Sequence, residues 1–294
     1  MRKTILVSLM CCMTLFSHAQ HYLGVGTAAN AVLSLDNLAF THTAPGFGGE
    51  FSGIYALEYH HFMLKTGFDF GIQQARLRLD NQTLEQPMID TRGMHFIYRG
   101  SLASRVDRSR QIGAGIPLMM GYANDYVYIL AGARFYQIFS TLYHTTAQLQ
   151  TVGDYEGRYY DYFEDMPNHG YHDYEPVSSN GSMKYRYDVQ VCAEIGGRIP
   201  LHTGYSSHRA HMLHIGVWAA YGLLNINANN KATLRLTEPD YTQYMQVNMT
   251  HPYCSVEGSG ADVHNLCVGL RASVLFNLSG ELKRKYKCNC LGMY

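Results

Sequence analysis

Met183-Lys184-Tyr185-Arg186-Tyr187-Asp188-Val189-Gln190-Val191-Cys192-Ala193-Glu194-Ile195 decides the fold. Its odd positions, from Met183 through Tyr185, Tyr187, Val189, Val191 and Ala193 to Ile195, are apolar or aromatic. Its even positions, Lys184, Arg186, Asp188, Gln190, Cys192 and Glu194, are polar or charged apart from the cysteine. A helix would mix these two sets on every face, whereas a strand sends them to opposite sides. The stretch therefore reads as a strand with one greasy and one charged face. It continues past Gly197 through Arg198 and Ile199 to Leu201.

The same period of two recurs along the chain. Phe62, Leu64, Phe68, Phe70 and Ile72 oppose Lys65, Gly67, Asp69, Gly71 and Gln73. Leu266, Val268, Leu270, Ala272, Val274 and Phe276 oppose Asn265, Cys267, Gly269, Arg271 and Ser273. The row from Phe51 to Tyr59 opposes Gly48, Glu50, Ser52 and Glu58, and two further apolar rows oppose glycines, Arg134 and Trp218. The pattern predicts eight strands, near 21–29, 47–59, 62–79, 92–122, 126–146, 183–201, 211–228 and 263–278. Their connections alternate in length: 30–46 is long, His60-His61 tight, 80–91 moderate, Ala123-Asn124-Asp125 tight, 147–182 very long, 202–210 shorter and 229–262 very long. An up-and-down membrane barrel has this asymmetry, with brief periplasmic turns and large external loops. Ten strands remain open if the long loops hide another hairpin.

The charged row argues against a soluble sandwich, whose inner faces are both apolar. Here Glu50, Glu58, Asp69, Asp188 and Glu194 share one side with Lys65, Arg134, Lys184, Arg186, Arg198 and Arg271. Five acids and six bases on an enclosed face can neutralise one another, and buried charge is tolerated only when paired. The charged stripe thus lines a lumen and the apolar stripe faces lipid.

The termini predict export. Arg2 and Lys3, the apolar run Ile5–Phe16 and the small-residue site Ser17-His18-Ala19 make residues 1–19 a secretory signal peptide. Residues 20–280 would form the barrel and 281–294 a basic periplasmic tail. Beyond the signal, no apolar run reaches the roughly 18 residues a transmembrane helix needs; His214–Ile226 is too short. With 23 basic and 23 acidic residues, nothing points to nucleic acid.

Two segments carry a resemblance. Ile116-Pro117-Leu118-Met119-Met120-Gly121-Tyr122, Asn124-Asp125 and Tyr128-Ile129-Leu130-Ala131-Gly132-Ala133-Arg134 form one; Val268-Gly269-Leu270-Arg271-Ala272-Ser273-Val274-Leu275-Phe276, with the tail Lys287-Cys288-Asn289-Cys290, forms the other. The chain resembles the small porin-like outer-membrane β-barrel proteins of the Bacteroidota. The resemblance implies the barrel and its membrane, and no shared chemistry. Many such barrels end on an aromatic of the last strand; here residues 279–294 follow it, which implies an internal assembly signal.

Several candidate sites follow. The lumen charges could form a salt-bridged plug, since an eight-stranded bore is just wide enough to be filled by side chains, or could line a pore for small solutes. The segment Gly153–Glu175 interleaves acids with aromatics: Tyr155, Tyr159, Tyr160, Asp161, Tyr162, Glu164, Asp165, Tyr171, Asp173 and Tyr174 could bind Ca²⁺, a glycan or a protein surface, or simply pack on the rim. It lacks EF-hand spacing. His169, His172 and Asp173 lie close together, without a third firm ligand placed by spacing. An outer-membrane lipid-modifying enzyme or protease would need a His with Ser or Asp at the external rim; His144 with Ser140 and His264 with Asp262 are the candidates. Cys192 and Cys267 read as small lumen fillers, Cys254 falls in a loop, and Cys288 and Cys290 could pair locally or with a periplasmic partner. The expected role is non-enzymatic, structural or binding, without cofactor or metal. The expected partners are outer-membrane lipid, the barrel-assembly machinery during biogenesis and a periplasmic protein for the tail.

Overall fold

The computed structural model describes residues 19–36, 41–79, 82–89, 93, 95–155, 175–183, 187–201, 211–227, 235–236, 247–248 and 262–278. Its strands are β1 (Gln20–Asp36), β2 (Thr41–Ala44), β3 (Gly46–Tyr59), β4 (Phe62–Leu79), β5 (Gln82–Ile89), β6 (His95–Ala123), β7 (Val127–Asp154), β8 (Glu175–Met183), β9 (Asp188–Leu201), β10 (His211–Gly222), β11 (Arg235–Leu236), β12 (Val247–Asn248) and β13 (Val263–Asn277).

Eight of these close a ring. Each pairs antiparallel with the next in the order β1, β3, β4, β6, β7, β9, β10, β13, and β13 returns to β1 through fifteen register pairs from Tyr22↔Asn277 to Asp36↔Val263. Closure leaves no edge strand, so every backbone amide in the wall has a partner without water. The ten-strand alternative falls. β2, β5 and β8 each pair with a single ring strand, β4, β6 and β7 respectively, and enter no closure.

Parity explains why these residues make a wall. Along β9, Asp188, Gln190, Cys192, Glu194 and Arg198 are buried, while Val191, Ile195 and Ile199 are exposed. The exposed set includes Leu23, Val25, Phe51, Phe68, Phe70, Ile116, Leu118, Ile129, Phe135, Val217, Leu270 and Phe276. Large side chains facing outward around a whole ring fit hydrocarbon rather than water. Among the described residues no helix is long and apolar enough to cross a membrane.

Two tight turns mark one end. His60 takes a φ of 54° between Tyr59 and Phe62, and Ala123 donates its amide to the His61 carbonyl at 2.8 Å. In the second turn, the Asn124 side-chain oxygen accepts from the amides of Tyr126 and Val127 at 2.9 and 2.8 Å. Short polar side chains that mimic a backbone turn account for the brevity of this connection.

The opposite end reaches further than the sequence pattern indicates. β1 runs to Asp36 rather than ending near 29, because Asn30, Val32 and Ser34 keep the inward parity. β7 runs to Asp154, and parts of the connections at 30–46, 80–91 and 147–182 are strand. The expected single strand 183–201 divides: β8 and β9 share one register along β7, with Thr141↔Met183 and Tyr136↔Asp188. Register shifts between Ile112 and Gly113 and between Ala103 and Val106 interrupt the β6–β7 pairing. Such bulges bend and twist a ribbon as it leaves the barrel. The signal peptide expected at 1–19 lies outside the described residues apart from its last, and the tail 281–294 lies outside them entirely.

Candidate functional site: the charged lumen

The charged row converges inside the ring. Lys65, inward on β4, reaches Glu194 on β9 with Nζ 2.8 Å from both carboxylate oxygens. Glu194 also accepts from the Tyr128 hydroxyl at 2.8 Å and from Arg271 Nη1 at 3.4 Å. Arg271, on β13, places Nη2 3.2 Å from Glu50 and 3.6 Å from Asp69. Arg134, on β7, gives Nη1 to Glu50 at 3.1 Å and sets Nε 3.4 Å from Asp69. Gln73 completes the shell of Glu50 at 3.2 Å. Three acids and three bases from five strands therefore form one neutral cluster that spans the bore.

Aromatic rings fill the space between these ions. The Trp218 ring meets two guanidiniums, with Arg271 4.5 Å and Arg134 5.6 Å from its centroid, and Arg134 also lies 4.5 Å from the Tyr136 ring. Cations over ring faces gain from the quadrupole, the more so once desolvated. The Trp218 indole donates to Asn30 at 2.7 Å. His214 stacks on Tyr128 with centroids 4.5 Å apart.

Smaller layers lie on either side. Toward the tight turns, Arg198 forms a two-pronged pair with Glu58 at 3.0 and 2.6 Å and donates to the Asn124 carbonyl. Toward the long hairpins, Asn265 bonds Gln111 across the bore and accepts from Ser34, each at 3.1 Å. Higher still, Arg105 grips Asp107 through two 3.0 Å bonds.

Of the residues expected in the lumen, Glu50, Lys65, Asp69, Arg134, Glu194 and Arg271 form the cluster, and Glu58 with Arg198 forms the layer below it. Asp188 faces inward but joins neither: its carboxylate accepts from Gln190 and from the Leu224 amide. Lys184 and Arg186 lie outside the described residues. The sequence reading missed Arg105, Asp107, Gln111, Tyr128 and His214 as lumen groups. Arg105 and Asp107 lie within the strand expected at 92–122, and their shared parity with Ser109 and Gln111 is the signal that could have found them.

The other candidates resolve differently. Tyr155 is buried and stacks on Phe96 at 5.0 Å, which removes it from any ligand surface. Tyr159, Tyr160, Asp161, Tyr162, Glu164, Asp165, Tyr171, Asp173 and Tyr174, with His169 and His172, lie outside the described residues, as do Cys254, Cys288 and Cys290. Ser140 and His144 both face outward on β7, four residues apart, so roughly 14 Å separates them along the strand; His144 instead bonds Asn180. His264 donates to the Gly222 carbonyl and stacks on Tyr221, while Asp262 accepts from Asn225. Neither pair makes a catalytic couple. Cys192 and Cys267 are buried free thiols in the wall, as expected. Among the described residues no group of three metal-ligating side chains comes together.

No protein-family model matches the chain, and no well-characterised protein matches it in sequence. Among solved structures, it is similar to Neisserial surface protein A at 12% identity, with a TM-score of 0.31, over 86% of this chain and 96% of that one. It is also similar to the attachment invasion locus protein of Yersinia pestis, solved with the heparin analogue sucrose octasulfate. There the identity is 10% and the TM-score 0.26, over 86% of this chain and 98% of that one.

Proposed function

We propose that the protein is an exported, integral outer-membrane barrel of structural or binding role. It carries no chemistry of its own and its lumen is closed to solutes. What carries this reading is the neutral cluster of Lys65, Glu194, Arg271, Glu50, Arg134 and Asp69, which ties five strands of the wall together across the bore. An open pore would keep such charges solvated and facing ions. Here each is paired, and Trp218, Tyr128 and Tyr136 occupy the space beside them. The ring of exposed apolar side chains supports the membrane, and a charged lumen with brief turns at one end supports the outer membrane in particular. The tight-turn end then faces the periplasm, and the paired strands β5 with β6 and β7 with β8 stand outside the cell as the surface available to partners.

Conductance tests the reading. The mature protein, refolded into a planar bilayer, should give no steady ohmic current. Regular unitary conductance from wild-type protein would overturn the closed lumen. Envelope fractionation with gel electrophoresis tests the location: recovery with outer membranes, and a mobility shift on heating in detergent, are expected. Soluble periplasmic recovery without that shift would overturn the barrel assignment in the cell.

A further inference from the structure

Arginines in this barrel fall into two groups. Arg99, Arg105, Arg134, Arg198 and Arg271 each hold a carboxylate within ion-pair distance. Arg76, Arg78, Arg108 and Arg110 have no such partner among the described residues, and all four sit together on the outer surface of β4 and β6. The register sets Arg76 directly opposite Arg108, with Gln74 opposite Arg110 and Arg78 opposite Val106. Next along these rows come His144 and Leu142 of β7 on one side and His42 and Ala44 of β2 on the other.

Two like charges facing each other across a pair of strands destabilise a sheet. Among the described residues no carboxylate offsets these four, and the Nε of Arg76 is shut off from solvent without a hydrogen-bond partner. An anion set among them would offset that repulsion. Paired carboxylates serve the other arginines whose side chains are described, and these four are open to an anion from outside the wall.

Height along the barrel identifies the source. On β4 the outward apolar row runs from Phe62 to Ile72, and on β6 from Tyr122 back to Ile112. That is about 34 Å along the strand, or roughly 25 Å across the membrane at the usual tilt, the thickness of the lipid-facing band. Gln74 and Arg110 come next, then Arg76 and Arg108. The four guanidiniums thus lie at headgroup level on the hairpin side. Beside them Pro45, Phe47 and Leu142 share with Gln74, Arg76, Arg108, Arg110 and His144 a depression of about 460 Å³. Phe47 and Leu142 face outward and are largely exposed. The surface is cationic above and apolar below, as an anionic lipid standing against the wall requires.

We propose that Arg76, Arg78, Arg108 and Arg110 form a binding site for the phosphate groups of an outer-leaflet lipid, whose acyl chains descend past Phe47 and Leu142. Planar guanidiniums hold phosphate oxygens in two-pronged contacts, so clustered arginines suit this ligand better than clustered lysines would. The proposal rests on the outer-membrane reading, which fractionation tests independently.

The test uses the mature barrel in phosphatidylcholine nanodiscs carrying a small fraction of bisphosphorylated lipid A. Lipid retained after extraction is counted by native mass spectrometry. Wild type should retain lipid A and reject its dephosphorylated counterpart. R76Q/R108Q and, separately, R78Q/R110Q should lower retention about tenfold each, from the lost charge-assisted bonds. R99Q, the same charge change away from the patch, should retain lipid as wild type does. Because the four side chains face away from the lumen, the heat-induced gel shift of the variants should be unchanged. Equal retention of dephosphorylated lipid by wild type, which needs no variant to fold, would overturn the proposal. So would undiminished retention by both folded double variants, or full displacement by millimolar inorganic phosphate, which would mark a site for soluble anions.

Discussion

Removing the Glu194 carboxylate should be among the most damaging single changes in the lumen, and removing Lys65 with it should undo much of the harm. The Lys65 ammonium donates to both oxygens of Glu194 at 2.8 Å, and neither side chain is more than 2% exposed. At that separation, with an effective dielectric near 20, the attraction is about 6 kcal/mol, and it is opposed by several kcal/mol of desolvation per ion. The intact pair therefore contributes little net stability. Glu194→Gln leaves Lys65 charged in a sealed bore and also weakens the contacts of Tyr128 and Arg271. The expected cost is about 3–5 kcal/mol. Lys65→Met alone strands the carboxylate, though Arg271 and Tyr128 still serve it, so its cost should be smaller. In the double variant the remaining charges of the cluster, Glu50 and Asp69 against Arg134 and Arg271, balance again. Its cost should fall below that of Glu194→Gln alone. Reversible urea unfolding in lipid vesicles, followed by fluorescence, measures each corner of the cycle. The chain's single tryptophan, Trp218, lies inside the cluster and reports on it directly. If the double variant lost as much as the two singles added together, the cluster would not act as one neutral unit and the reasoning would fail.

Two further perturbations test the faces and the hairpins. Val191→Arg puts a charge on the exposed apolar row and should destabilise the barrel by roughly 2–4 kcal/mol near the midplane. Gln190→Arg, one residue away and buried beside Asp188, should cost less because that carboxylate has no cation among the described residues; equal losses in the same urea assay would show the faces to be reversed. Deleting residues 156–174 while keeping Tyr155 on Phe96 should leave the heat-induced gel shift intact, since external loops contribute little to closure. If that segment binds Ca²⁺ or glycans, calorimetry and glycan arrays should lose the signal on deletion, and identical behaviour of both proteins would reduce it to packing.

Alternation alone carried the wall. Asp188, Gln190 and Glu194 against Val191 and Ile195 announced which side of β9 is enclosed, because a strand has only two faces and a membrane barrel inverts their polarity. The number of ring strands followed from counting such rows, and most of the paired lumen residues followed from their parity. Residue order could not show partnership. Lys65 and Glu194 stand on strands three places apart around the ring and meet only because the first and last strands pair and curl the sheet shut. The meeting of Trp218 with Arg134 and Arg271, drawn from three different strands, has the same origin. The far ends of the strands escaped notice because strands outside lipid need no apolar row, so β1 beyond Ala29 and β7 beyond Thr146 looked like loop. The outward arginines are the sharpest case. Arg76 and Arg108 are unremarkable in sequence, and only the β4–β6 register sets them face to face at the edge of the apolar band.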